Sequence, residues 1–430
     1  MVRARRLLAD IGPLRDCAPF RRLWAGTTLS GLGTALTMFA VPLQVYDITH
    51  SPFAVGAIGI AQMVPTIAIG LLGGSLADAV DRRKLVFVLG CCSAGVSGAL
   101  AAQAFAGLRV VWLLYALVAA QASLSAVNAP VRQTFVPGLL SAGQLPAGLA
   151  LNRLSFQIML TVGPALAGLI AAVPALGLRT CYLVDAVSFG ASLYGVARLP
   201  VLPRAANAAR PGPRAVAEGV RFILRSPVLA GAFLADLNAT VFGLPIALFP
   251  AINAERFGGN PRTLGLFTAA IGVGGLVSVA FSGPVKHVVR QGRAMLYAVA
   301  IWGAAFAGFA VARALWLTLV LLAIAGAADT FTVVFRGTIV QLTTPDQLRG
   351  RVTAADYVVG AGGSQLGNIE AGALGSLTSP TISALSGGLV TIAGAAIIGL
   401  ALPAFLRHHA RPSEPAEHTA DATPVAATEA

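Results

Sequence analysis

The chain has 430 residues, 56% of them hydrophobic and only 11% charged, with a net charge of +13. A mean hydropathy of +0.78 and so few charges, against about a quarter in soluble domains, exclude a water-soluble globular protein. The basic surplus, which in a soluble chain would suggest nucleic acid, has to be read from where it sits.

Apolar runs of roughly 20 residues recur, the length at which a helix rising about 1.5 Å per residue crosses about 30 Å of hydrocarbon. Residues 1–22 are a basic N-terminal segment expected in the cytoplasm. The apolar run behind them outlasts a signal-peptide core and has no small-residue cleavage pattern, so it reads as the first span. Six spans are predicted near 23–45, 54–77, 85–106, 109–127, 148–174 and 180–198, a first bundle over 23–198. The longest polar interruption, 199–227, reads as a cytoplasmic linker. In it Arg214, Glu218, Arg221 and Arg225 share one helical face and Val216, Val220 and Ile223 another, the pattern of a helix lying on the inner leaflet. Six more spans are predicted near 228–251, 263–285, 295–312, 315–335, 352–377 and 383–405, a second bundle over 228–405. Residues 406–430, poor in apolar bulk, cannot offset their ordering entropy and are expected to form a disordered cytoplasmic tail.

With the N-terminus in the cytoplasm, about 24 basic residues fall inside and about 5 outside, which fixes the expected orientation. Five charges crowd the seven positions from Asp78 to Lys84 between the second and third spans. The halves echo each other. Arg132 precedes "QTFVPGLLSAGQL" and Arg336 precedes "GTIVQLTTPDQL", each between an even-numbered span and the next. Ser141 and Gln144 have capping-box spacing, while Thr344, Pro345 and Asp346 suggest a cap residue, an N1 proline and an acidic first turn. Arg336, Asp346, Arg349 and Arg351 are thus assigned to an inner loop of the second half. Two six-span halves with repeated loops suggest a transporter with its site between them.

The stretch "GSLADAVDRRK", with Gly74, Leu76, Ala77, Asp78, Arg82, Arg83 and Lys84, resembles the loop signature of the major facilitator superfamily between its second and third helices. Ala79 replaces a frequent basic residue and Asp81 the usual glycine. "VGPALAGL" (162–169) resembles part of the fifth-helix glycine-proline signature of exporters. "ITHSPFAVG", "NAPVRQTFVPGLL", "AEGVRFILRSPVL" and "QLTTPDQLRGRV" are similar to the group of the enterobactin exporter and the macrolide efflux proteins. The resemblance implies an all-α, twelve-helix, proton-driven exporter of a siderophore or an amphipathic drug-like molecule, working by alternating access in the bacterial cytoplasmic membrane. It implies a monomer with no cofactor and no catalytic site. A broad multidrug or macrolide pump, a small-solute uptake carrier and a non-transporting sensor remain the alternatives.

In a continuing helix Gly74, Asp78 and Arg82 would stack on one face. By the resemblance, Asp78 would close an inner gate against the positive N-terminal end of the eleventh helix, near residues 350–353; Arg82, Arg83 and Lys84 also fix topology. A proton carrier needs an acid inside the membrane, which is costly there and so rarely idle. Asp236, about 12 Å along the seventh span, is the leading candidate, with Glu370 in reserve and Asp329 next; no basic residue is assigned to that depth. Asp185 and Asp356 are read as lying toward the outer and inner ends of their spans. The glycine-rich "GVGGLVS" and "GAGGSQLG" lack a P-loop lysine and a strand, so they read as helix-packing surfaces. Cys17, Cys91, Cys92 and Cys181 fit no metal spacing.

Overall fold

A computed structural model describes residues 10–79, 81–200, 213–280 and 288–408, without the side chains of 70–79, 213, 280 and 361. The N-terminal arginines before Asp10 and the tail from 409 lie outside the described residues, so the expected disorder of 406–430 is not addressed beyond His408. The described elements are all helical. The long ones are α1 (Ala18–Thr49), α2 (Pro52–Ala79), α3 (Arg82–Phe105), α4 (Val111–Gln133), α5 (Leu145–Ala171), α6 (Gly177–Ala197), α7 (Pro227–Phe242), α8 (Pro261–Ala280), α9 (Gln291–Val311), α10 (Leu315–Thr343), α11 (Asp346–Leu377) and α12 (Pro380–Ala401).

Four of these helices begin with a side-chain acceptor followed by proline. Ser51, Ser226 and Ser379 accept from the backbone N–H of Ala54, Leu229 and Ile382 at 3.4, 3.4 and 3.1 Å, and Asn260 from Arg262 at 2.9 Å. The proline behind each has no N–H to leave unpaired in the first turn. Asp81, the residue that replaces the signature glycine, caps α3 by accepting from Arg83 and Lys84 N–H at 2.9 and 3.5 Å. Two expected caps do not form. Ser141 bonds Gln144 at 3.4 Å in a turn ahead of α5, and Gln144 reaches Asp16 at 3.1 Å instead of capping. At α11 the N-cap position falls to Pro345, and the Thr344 hydroxyl is buried.

The second-half loop is also corrected. Because α10 runs to Thr343 and α11 starts at Asp346, only Thr344 and Pro345 separate them. Arg336 therefore lies inside α10, about 10 Å from its end, while Asp346, Arg349 and Arg351 lie in the opening turns of α11. The arginine depresses local hydropathy without breaking the backbone ladder, which is why an apolar-run reading stops at 335.

Eleven helical stretches among the described residues are long and apolar enough to cross a membrane. α11 is 32 residues long but carries Gln365, Asn368, Glu370 and a run of glycines, which makes it the polar exception. The seventh stretch is broken. After α7, Gly243 and Pro245 interrupt the ladder, a 3-10 turn covers Ile246–Leu248, and helix resumes over Phe249–Phe257. Backbone freed inside a membrane must be satisfied again, and Trp302 Nε1 donates to the Gly243 carbonyl at 2.7 Å.

The helices α1–α6 pack mainly among themselves, as do α7–α12. Two pairs join the sets, α2 with α11 and α5 with α8. Each crosses glycine on glycine. A Cβ on Gly372 would stand 2.6 Å from the Pro52 carbonyl oxygen and 3.0 Å from Gly56 Cα, and one on Gly168 would stand 2.6 Å from the Pro261 oxygen and 3.0 Å from Gly265 Cα. Local sequence matches too, "SPFAVG" in α2 against "NPRTLG" in α8 and "GPALAG" in α5 against "GNIEAG" in α11. The two glycine-rich stretches are packing surfaces. Gly274 and Gly326 bring α8 onto α10, and a Cβ on Gly363 would meet Thr240 Oγ1 of α7 at 2.8 Å.

The amphipathic linker helix, Pro213–Arg225, does not simply rest on a leaflet. Its Gly219 closes against the Arg351 backbone, Ile223 is buried in the main core, and Glu218 pairs with Arg351 at 2.9 Å. Its basic face, Arg214, Arg221 and Arg225, stays exposed.

Candidate functional site

On α7, Phe233 and Asp236 sit three residues apart and so share a face. The helices packed on that face are α10 and α11. α10 supplies Asp329 and Arg336, seven residues or two turns apart on one side, and α11 supplies Asp356. They converge on one nitrogen. Arg336 Nη1 is 3.2 Å from Asp236 Oδ2 and donates to Asp356 Oδ1 at 2.6 Å. The guanidinium carbon stands 5.9 Å from the centre of the Phe233 ring, a cation–π distance. The Asp236 side chain is 8% exposed, that of Arg336 15% and that of Asp356 36%, so the cluster grades from buried to open. Asp329 is within Coulombic reach of Asp236 and Arg336, and also of Arg153, which comes from α5 in the other set of helices. Two carboxylates thus share one guanidinium, with a third, Asp329, close by between Arg336 and Arg153, in a medium where unpaired charge is costly.

Asp236 and Asp329, expected as coupling acids, are brought together. Glu370 is not. It lies fourteen residues beyond Asp356 on α11, about 21 Å along the axis. The expectation that no base shares the depth of Asp236 fails because Arg336 is helical rather than in a loop. Asp356 was missed as a site residue for the same reason, since its partner was assigned to the loop. The signal lay in the sequence, because "FRGTIVQLT" has no proline to end the helix at Phe335.

The other loop residues scatter. Asp346 and Arg349 pair with each other at 2.9 Å on the exposed start of α11, and Arg351 holds the linker helix. Arg83 donates to the Ala197 carbonyl at the end of α6, where a cation complements the helix dipole. Arg82 is half-buried and Lys84 exposed. Gly74 and Asp78 belong to the backbone of α2, and the Asp78 side chain lies outside the described residues. Since α2 ends at Ala79 and α3 starts anew at Arg82, Asp78 and Arg82 do not share one continuous helical face as the sequence suggested.

In the first set Arg132 of α4 takes the place that Arg336 has in the second, but its partners are neutral. It donates to Asn128 Oδ1 at 3.2 Å, Thr27 Oγ1 of α1 at 3.1 Å and Ser192 Oγ of α6 at 2.6 Å. Between the sets, Gln365 donates to Gln62 at 2.8 Å across the α2–α11 crossing, and Gln157 to the Gly272 carbonyl at 3.2 Å across the α5–α8 crossing. Among the described residues there is no group of three or more side chains suited to a metal ion.

Comparison with known proteins agrees with this architecture. The family model described as "Transmembrane secretion effector" matches residues 9–427. The enterobactin exporter of Escherichia coli O1:K1 is 26% identical over 397 residues, covering 92% of this chain and 93% of that protein. The nucleoside transporter NupG superposes with a TM-score of 0.71 at 13% identity, over 91% of this chain and 99% of that one. A bacterial homologue of the iron transporter ferroportin, solved in an inward-facing state, gives 0.67 at 16% identity over 91% and 99%. The chain belongs to the transmembrane secretion effector family of the major facilitator superfamily, and is a secondary transporter, not an enzyme, that moves a small molecule across a membrane.

Proposed function

We propose that this transporter is a proton-driven exporter of a siderophore or an amphipathic drug-like molecule, monomeric, with twelve spans in two six-helix halves and both termini in the cytoplasm. The halves are 23–198 and 228–405, joined by the linker. The observation that carries the proton coupling is Arg336 shared between Asp236 and Asp356 with Asp329 in reach. Even with Arg153 in reach of Asp329, the two guanidinium groups fall one charge short of three carboxylates, so the cluster has room for a proton, and rearranging the pairs changes which acid holds it. Export is supported by the glycine-proline stretch of α5 and by similarity to a protein named as an enterobactin exporter.

The basic loops face the cytoplasm. The glycine crossings then lie at the outer end, closed, and the cycle opens them while the inner end shuts. Asp78 acts at that inner end against the start of α11. Asp78→Asn keeps the shape but removes the charge opposite the helix terminus, so transport falls while insertion is retained.

The test uses purified protein in proteoliposomes with a labelled catecholate siderophore and, separately, a labelled macrolide. Accumulation driven by an imposed pH gradient is expected for one of them. Asp236→Asn abolishes that accumulation but keeps exchange of substrate for substrate, because exchange needs no proton turnover. Should Asp236→Asn and Asp329→Asn both accumulate substrate like the parent, the coupling assignment is wrong; Glu370→Gln is then next.

A further inference from the structure

A second acid sits in the first set of helices, and the cluster around Arg336 makes no use of it. Asp185 of α6 is 1% exposed. It is not near the end of the membrane, as its sequence position suggested, because it lies opposite the middle of α1 and the middle of α3. Thr34 Oγ1 donates to its Oδ1 at 3.3 Å, and Thr37 Oγ1 and Ser97 Oγ donate to its Oδ2 at 2.7 and 2.8 Å. The approach is enforced by Gly33, where a Cβ would stand 3.0 Å from Asp185 Oδ1 and 2.8 Å from its Cα. Five side-chain oxygens from three helices therefore meet in one buried place.

What is missing from that place is positive charge. The helices packed on α6 are α1, α3 and, more lightly, α5. The charged groups those helices carry nearest to it are Arg22 and Asp47 on α1, Lys84 on α3 and Arg153 on α5, with Arg179 on α6 itself. Arg132 of α4 reaches in two turns away along α1 and α6, about 10 Å, with its donors spent on Asn128, Thr27 and Ser192. Arg179, six residues from Asp185, is already about 9 Å away along the axis, and its guanidinium is turned to the Ala175 and Leu176 carbonyls. Tyr182, one turn away, spends its hydroxyl on Gln44 at 2.7 Å. The hydrogen bonds that the carboxylate accepts come from hydroxyl groups. A lone buried carboxylate in hydrocarbon is costly, whereas Arg336 compensates its counterpart in the other set. Hydroxyls can donate to an anion or turn their oxygens to a hard cation, so an all-oxygen cage with one formal negative charge suits a single monovalent cation.

We infer that the Asp185 cage binds one monovalent cation, a sodium ion or a proton, as an ion site of the first half separate from the Arg336 cluster. Its role in driving transport rests on the reading given under Proposed function, but its occupancy does not. The cation neutralises Asp185 while Thr34, Thr37 and Ser97 supply the remaining oxygens. Because those oxygens belong to α1, α3 and α6, binding ties the three helices together.

Occupancy is measured without any substrate, from the melting temperature of the purified full-length protein. One series varies sodium against choline at fixed pH and ionic strength; another varies pH without sodium. A ligand bound only by the folded state raises the melting temperature by mass action. The parent is expected to gain several degrees with sodium if the ion is sodium, or as pH falls if it is a proton. Asp185→Asn should lose the sodium response, or, in a protein already carrying Asp236→Asn so that the Arg336 cluster is held constant, the pH response that remains. Ser97→Ala and Thr37→Val, which preserve the acid, should shift the midpoint roughly tenfold, the worth of a hydrogen bond to a charged group, and they decide the matter if Asp185→Asn does not fold. Equal sodium and pH responses in parent and variants overturn the proposal. Failure of proton-driven transport with these responses intact overturns only the coupling reading.

Discussion

Arg336 reaches both Asp236 and Asp356 through the same nitrogen, so its removal leaves two acids facing each other across a poorly solvated gap. Breaking a buried pair by deleting one partner costs about 3–5 kcal/mol, much more than an exposed pair is worth. Arg336→Gln is accordingly expected to lower the melting temperature sharply, and adding Asp356→Asn to restore part of the loss; an Arg336→Gln protein that melts like the parent would show the pair to be solvated. Arg132→Gln should be milder, because its partners are neutral and hydroxyls tolerate losing a donor. Residue types alone flagged Asp236 and Asp329. They did not flag Asp356, whose importance depends on a partner twenty positions away in sequence that a helix register brings within 2.6 Å.

At the scale of helices, the two glycine crossings hold the sets together where no side chain stands between backbones. A substituted residue at Gly168 would meet the Pro261 oxygen and Gly265 Cα, both backbone, so the crossing must part rather than a side chain turn. Overpacking of this kind costs about 1–3 kcal/mol, and about 1.4 kcal/mol is a factor of ten in a two-state equilibrium. Gly168→Val should therefore bias the rocking equilibrium roughly tenfold or more toward the form open at this end. A single cysteine replacing Gln62 in a cysteine-free background reports it, through faster alkylation by an impermeant thiol reagent added outside; an unchanged rate would mean that the crossing does not gate. These crossings were only half legible. The sequence marks glycines every few residues, but which ones face another helix depends on rotation about each axis, and that is set by packing.

For the whole molecule, the distribution of basic residues predicts a cytoplasmic linker and an outer turn at His50. Single cysteines at His50 and at Ala217, both exposed, should label from outside intact cells only at 50. Labelling at 217 in sealed cells would invert the orientation. Membrane residence, the multi-span helical architecture and membership in the superfamily were determined by the sequence alone, because hydrocarbon thickness imposes a length on every span and the loop motif is local. The helix starts at Ser51–Pro52, Ser226–Pro227 and Ser379–Pro380 are local signals that the reading of the sequence did not use, and the two caps it named, at Ser141 and Thr344, do not form. The apolar seat of the linker helix and the grouping of Asp236, Arg336 and Asp356 were decided only in the tertiary structure. Hydropathy averages over a window and so counts a buried arginine as a loop, whereas the partner that makes its burial tolerable comes from a helix elsewhere in the chain.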